Sequence, residues 1–263
     1  MGWIILLFGG VFMNLKRDTY AIVDLDHLKY NVELAHSEFK RPLMAVIKAD
    51  AYGHGYKEVA SFLKDIDYIE MFAVATLQEA IELRELGINK GILILGAIPT
   101  SKEDIDLAIK YDISLTMVSV AYLKLLDHLI DKGQTLKVHI KLDTGMHRIG
   151  LMSKEELSTL LKLVDPDKFN VEGIFTHFAT ADGDDEAYEK QRSLFYEMIG
   201  NCKFKYIHCC NSAAMTYHHD EKSNMGRLGI TMYGCSPNGE EENKNSNKVM
   251  YNFISKSKTI DLK

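Results

Sequence analysis

The stretch AVIKADAYGHG, Ala45 to Gly55, ends an apolar run on Lys48 and passes at once into a turn bearing Asp50, Tyr52 and His54. A primary amine at the end of a buried strand can bond covalently to a carbonyl and so anchor a cofactor; it can equally be a solvated point charge where the chain leaves the core. Four other segments bring polar groups in after apolar runs: KLDTGMHRIG with Lys141, Asp143 and Arg148, FTHFATAD with His177, HCCNSAA with Asn211 and Ser212, and GRLGITMYG with Arg227, Gly229 and Tyr233. Taken singly, each has an ordinary explanation. A histidine such as His177 is more often a hydrogen-bonded structural imidazole, as are His218 and His219 in their polar stretch, and Arg148 and Arg227 fit rim ion pairs of small worth. Their convergence is what points to chemistry.

The elements that must position them recur with a rhythm. Apolar runs stand at Leu43–Ile47, Met71–Ala75, Ile92–Leu95, Ile113–Met117, Leu136–Leu142, Val171–His177, Tyr206–Cys210 and Ile230–Tyr233. Between them lie amphipathic stretches such as 77–86, 102–110 and 154–163, with Thr100, Ser101 and Ser153 placed as N-caps. Strands buried on both faces and alternating with helices predict a parallel sheet, and eight such units predict a closed (β/α)8 TIM-like barrel with its site at the strands' carboxyl ends. An open doubly wound sheet would want GxGxxG after its first strand, and none is there.

Composition narrows the function classes. The 263 residues, 46% hydrophobic and 26% charged, suit one large soluble domain. A net charge of −6, from 31 basic and 37 acidic side chains, offers no basic stripe for nucleic acid. Cys202, Cys209, Cys210 and Cys235 show no metal-ligand spacing and read as reduced core thiols of a cytoplasmic protein. The apolar segment 1–13 is far short of the ~20 residues of a spanning helix and stands outside the predicted fold.

Taken together, AVIKADAYGHG, KLDTGMHRIG, THFATAD, NSAA and RLGITMYG resemble the amino-terminal barrel of the alanine racemases, enzymes dependent on pyridoxal 5'-phosphate (PLP), over about Lys16 to Gly234. The resemblance implies that Lys48 is the Schiff-base lysine and catalytic base, and that Tyr52, one helical turn on, binds the cofactor phosphate. It implies that Ser212 and the backbone N–H groups of Gly229 and Ile230 complete the phosphate cradle. Arg227 would face the pyridine nitrogen, with His177 and Asn211 as the shell that orients it. Arg148 would contact the substrate carboxylate, and Lys141 matches a lysine that is carbamylated in several relatives. No metal is implied.

The implied reaction is interconversion of L- and D-alanine in a homodimer, supplying D-alanine for cell-wall peptidoglycan. A serine racemase of the same family is the alternative substrate reading, and a non-catalytic PLP-binding barrel protein of cofactor homeostasis is the alternative function. The decarboxylases of this barrel type are disfavoured because their triple-glycine phosphate loop is missing. The sequence departs from the family after the barrel, 14–235: residues 236–248 read as an acidic, asparagine-rich linker and 249–263 as the bare start of the second β-domain, whose tyrosine supplies the second base. The expectation is a fragment of a longer enzyme.

Overall fold

The computed structural model describes residues 3–6, 20–99, 101–218, 220–239 and 260–262. Eight parallel strands form the barrel: β1 Leu43–Val46, β2 Ile69–Val74, β3 Gly91–Ile94, β4 Leu115–Met117, β5 Leu136–Lys141, β6 Phe169–Phe175, β7 Tyr206–Ile207 and β8 Gly226–Leu228. They pair in two groups of four, with β8 beside β1 and β4 beginning the second group. A few backbone links close the ring. The amide of Ser114 donates to the Ile92 carbonyl and that of Ile94 to Ser114 between β3 and β4, and Arg227 donates to the Cys210 carbonyl (2.9 Å) between β8 and the segment after β7.

Helix α1, Leu25–Phe39, precedes β1; α2 Tyr56–Leu63, α3 Leu77–Glu85, α4 Lys102–Lys110, α5 Val120–Leu129, α6 Lys154–Leu163, α7 Asp185–Ile199 and α8 Ser212–Tyr217 follow in turn. The expected caps form at Ser101, which accepts from the Asp104 amide, and at Ser153, which accepts from Glu156; Thr100 and His219 lie outside the described residues. His218 lies against the Ala181 carbonyl at 3.0 Å.

Strand alternation divides the core. Leu43, Ala45 and Ile47 of the first strand, with Phe72, Val74, Ile92 and Ile94, pack outward against the helices, whereas Met44, Val46, Met71, Ala73 and Leu93 fill the barrel interior. On β5 the outward set is Leu136, Val138 and Ile140, so Lys137, His139 and Lys141 share the inner face. One half of the barrel interior is therefore apolar and the other half polar.

Two expectations are corrected. Ile230–Tyr233 is a 3-10 turn, and the eighth strand is Gly226–Leu228. Arg227 interrupts the apolar pattern there because its side chain occupies the polar half of the interior. The run from Thr231 to Tyr233 is apolar because the turn packs under α1, where Asn31 donates to the Met232 carbonyl (3.1 Å). Cys209 and Cys210 are buried, but Cys202 and Cys235 are exposed, and all four are free thiols. Trp3–Leu6, Tyr20–Val23 and Ile260–Leu262 form a separate three-stranded sheet; residues 7–13 of the apolar segment and 240–259 beyond the barrel lie outside the described residues. Among the described residues no helix is long and apolar enough to cross a membrane.

Gly173 on β6 is opposite His139 in the β5–β6 register, and a Cβ there would lie 2.4 Å from the imidazole Nδ1. In an ordinary strand Gly→Ala gains stability. Here Gly173→Ala is expected to lose about 1–3 kcal/mol through overpacking of the barrel interior, measured as a lower midpoint in urea unfolding with unchanged slope.

Candidate active site

A cavity of about 550 Å³ opens at the carboxyl ends of the strands. Lys48, Tyr52, Lys141, Arg148 and His177 all line it, as do Asn211, Ser212, Arg227, Gly229 and Ile230. The ten residues to which the family resemblance assigns a role thus reach one cavity, whereas Asp50, His54, Asp143 and Tyr233 are not among its lining.

Lys48 follows the last strand-like residue, Ile47, whose amide still bonds the Ala73 carbonyl (2.9 Å). The turn expected between Lys48 and Tyr52 is present but left-handed: Ala49, Asp50, Ala51 and Tyr52 have φ of 52°, 56°, 51° and 54°. For residues with a Cβ this conformation costs roughly 1–2 kcal/mol each, so the turn must be held from outside. The Ala51 amide bonds the Ile47 carbonyl (2.9 Å), Gly55 bonds the Asp50 carbonyl (3.0 Å), and Tyr56 bonds the Asp50 carboxylate (3.1 Å). Ala51 is fully buried beneath, and the Tyr52 ring leans on Tyr233 at 5.4 Å. Burial lowers the Lys48 pKa, Arg148 and Arg227 lower it further, and Glu79 opposes them. Burial raises that of Tyr52.

Arg148 is presented by a loop that leaves β5 at Leu142 and returns at Leu151. Its base is tied by Leu151 N–H to the Lys141 carbonyl (2.9 Å) and Asp143 N–H to the Leu151 carbonyl (2.8 Å). Gly150 permits this closure: its φ is +126°, and a Cβ would strike Asp143 N at 2.8 Å and the Lys141 carbonyl at 2.9 Å. Inside the loop the Asp143 carboxylate accepts the amides of Gly145, His147 and Arg148 at 3.0, 3.0 and 2.8 Å. Burial would raise its pKa, but these three donors hold it below the usual carboxylate value.

Lys141, 2% exposed, donates to the Leu142 carbonyl (2.6 Å). Burial first, then Arg227, brings its pKa down to about 7, with Asp143 opposing and Arg148 adding. His177 is driven to about 3 by burial and then by Arg227, so its imidazole is neutral at physiological pH.

Among the described residues Arg227 is buried without a carboxylate partner. Its guanidinium donates to the carbonyls of His208 and Thr176, the latter at 2.7 Å, and approaches the ring nitrogens His208 Nδ1 (3.2 Å) and His177 Nδ1 (3.4 Å). A guanidinium can only donate, so both Nδ1 atoms accept and both protons sit on Nε2. His208 Nε2 then donates to His139 Nδ1 (2.8 Å), which places the His139 proton on Nε2, turned towards Glu172 at 3.9 Å. One fixed charge therefore sets the tautomers of three imidazoles. Asn211 does not join this shell: it caps α8 through the Ala214 amide (2.9 Å) and donates to the Phe178 carbonyl (3.4 Å).

Ser212 links two short helices at the cavity wall. Its hydroxyl accepts from the Gly229 amide (3.0 Å) and from the Thr231 hydroxyl (3.2 Å), bringing the start of α8 against the 3-10 turn. Paired helix N-termini suit an anion.

Sequence reading missed His139, His208 and Glu79. The signal for His139 was available: LKVHIKLD alternates strictly, and its polar positions are the barrel's inner face. His208 stood inside a run read as apolar, and Glu79 is one of the charges of the amphipathic stretch 77–86, with no local signal to set it apart.

The family model described as "Alanine racemase, N-terminal domain" matches residues 23–237. The alanine racemase of Ligilactobacillus salivarius is 42% identical over 232 residues, covering 85% of this chain and 62% of that protein. The crystal structure of alanine racemase from E. faecalis superposes with a TM-score of 0.79 at 38% identity, over 85% of this chain and 62% of that one. A histidine racemase from Leuconostoc mesenteroides superposes with a TM-score of 0.77 at 28% identity, over 86% and 61%. The chain thus spans about three fifths of the length of these relatives, and by sequence, fold and extent of match it belongs to the alanine racemase family, over that family's amino-terminal domain.

Proposed function

We propose that the chain is the cofactor-holding barrel of a PLP-dependent alanine racemase, an isomerase that interconverts L- and D-alanine. The observation that carries this reading is the charge of the cavity: Lys48, Lys141, Arg148 and Arg227 line it against one acidic residue, Asp182. Such a site suits a ligand with a phosphate and a substrate with a carboxylate. The donor set fits PLP in kind as well. Lys48 offers an amine whose lowered pKa favours the nucleophilic free base, and Ser212 with the Gly229–Ile230 turn offers an anion cradle.

Bound PLP supplies an electron sink that makes the α-proton of an attached amino acid acidic. Lys48 would hold the cofactor and, once displaced, take or return that proton on one face. Arg148 would neutralise the substrate carboxylate. Arg227, which cannot accept a proton, would leave a ring nitrogen set against it unprotonated. Inversion needs a second base on the opposite face, assigned by this reading to a tyrosine of the carboxyl-terminal domain of the other subunit in a homodimer. The D-alanine formed would serve cell-wall peptidoglycan. Lys141, with its pKa near 7, has the free amine that reaction with carbon dioxide to a carbamate requires, and a carbamate there would pair with Arg148.

Two measurements check this assignment. Titrating the chain with PLP is expected to give a visible absorption band, and borohydride reduction followed by peptide mapping should place the label on Lys48; label elsewhere overturns the assignment. Lys48→Ala should abolish the band. Tyr52→Phe should weaken retention about 10- to 100-fold, the worth of one charge-assisted hydrogen bond at about 1.5–3 kcal/mol.

The second measurement concerns Lys141, whose pKa is lowered to about 7 in the fold from 10.5. Between those values the unfolded chain binds more protons than the folded one, so the buried charge destabilises most below pH 7 and this penalty is relieved as pH rises. In carbon-dioxide-depleted buffer, Lys141→Met should stabilise the protein at pH 6. Its advantage over the parent should shrink by about 2 kcal/mol between pH 7 and 9, followed by unfolding at each pH.

A further inference from the structure

Glu79 lies in the first turn of α3, in a capping box with Thr76: its amide bonds the Thr76 hydroxyl (3.1 Å), and its carboxylate accepts the Thr76 amide (3.2 Å). That arrangement alone would make it a helix cap. The same oxygen, Oε2, also accepts the amide of Ala75 (2.8 Å), and the second oxygen, Oε1, reaches across to the next barrel strand and accepts the amide of Ala49 (2.9 Å). Ala49 follows Lys48 directly and is the first residue of the left-handed turn. Its N–H precedes any partner that the turn could provide, as the first N–H groups of any helix do.

We propose that Glu79 is the positioning residue for Lys48: its carboxylate spans the carboxyl ends of β1 and β2 and fixes the left-handed turn that directs the lysine into the cavity. The inference rests on the reading of Lys48 as the cofactor lysine. Chemistry selects a carboxylate for the task. Three N–H donors converge on it from two directions, and an ionised carboxylate accepts on both oxygens, whereas the amide of glutamine turns a donor towards one of the two sets. Glu79 is also the anionic group among those that bear on Lys48, where Arg148 and Arg227 act in the opposite sense. The carboxylate therefore fixes the backbone beside the amine and tempers the cationic field around it.

The test separates positioning from capping with Thr76→Ala, which removes the cap hydroxyl but leaves the bond to Ala49. In the chain without added cofactor, amide hydrogen exchange over residues 48–53 is expected to quicken about tenfold or more in Glu79→Gln and Glu79→Ala and to change less than about twofold in Thr76→Ala. With PLP, half-saturation of the visible band should rise about tenfold or more in the two Glu79 variants while Thr76→Ala stays near the parent. Equal effects in Thr76→Ala and Glu79→Ala would reduce Glu79 to a helix cap and overturn the proposal, as would unchanged exchange in both Glu79 variants. Glu79→Gln keeps the side-chain volume, so the comparison survives if Glu79→Ala fails to fold. The exchange readout needs no cofactor; failure of the parent to take up PLP on Lys48 would overturn the reading of the site while the exchange data still decide whether Glu79 holds the turn.

Discussion

A buried guanidinium with no carboxylate beside it among the described residues is the constraint on which much of this molecule depends. Arg227 is 4% exposed, and burial brings its pKa down only to about 10, so it stays charged. A charge taken out of water must be solvated by the protein, and here backbone carbonyls at the ends of β6 and β7 do so together with two imidazoles. Those bonds tie β8 to the strands before it, at the seam where few ladder bonds close the ring. The same arrangement leaves a fixed positive charge at the floor of the cavity, adds to burial in depressing the pKa values of Lys48, Lys141 and His177, and sets the tautomers of His177, His208 and His139. Closure of the barrel and the electrostatics of the site are one problem with one solution.

Around that floor two irregular segments are each held by an internal anion. Asp143 gathers three amides of the Arg148 loop, and Glu79 gathers three amides from two strand ends. Both carboxylates turn short irregular segments into fixed ones without adding to the core. A loop that must hold one cation near others gains from this, since its position is set by bonds within the backbone rather than by the repelling charges it carries.

The same barrel architecture is found in proteins named as racemases of alanine and of histidine. The polar inner half of the barrel and the cationic cavity are properties of this chain's own residues.

The barrel's periodicity was legible in the sequence because a strand covered on both faces must be apolar at successive positions and a helix on its outside must be apolar at three and four. That reasoning found β1 to β7 to within a few residues, and the residues it picked out with Lys48 at the strand ends line one cavity. It misplaced β8, since Gly226–Leu228 owes its place to a charged residue pointing inward, and local hydropathy favours the neighbouring run that becomes the 3-10 turn. It also could not give the hand of the turn after Lys48. Ala49, Asp50, Ala51 and Tyr52 all prefer the right-handed form, and the contacts that overturn that preference include the bond from the Tyr56 amide to Asp50 and that from the Ala49 amide to Glu79, thirty positions away. Which residue types stand at the strand ends is local information that the chain alone determined. The direction in which they point, the protonation they hold and the partners that fix them are sums over contacts between distant segments, and only the closed barrel decides those.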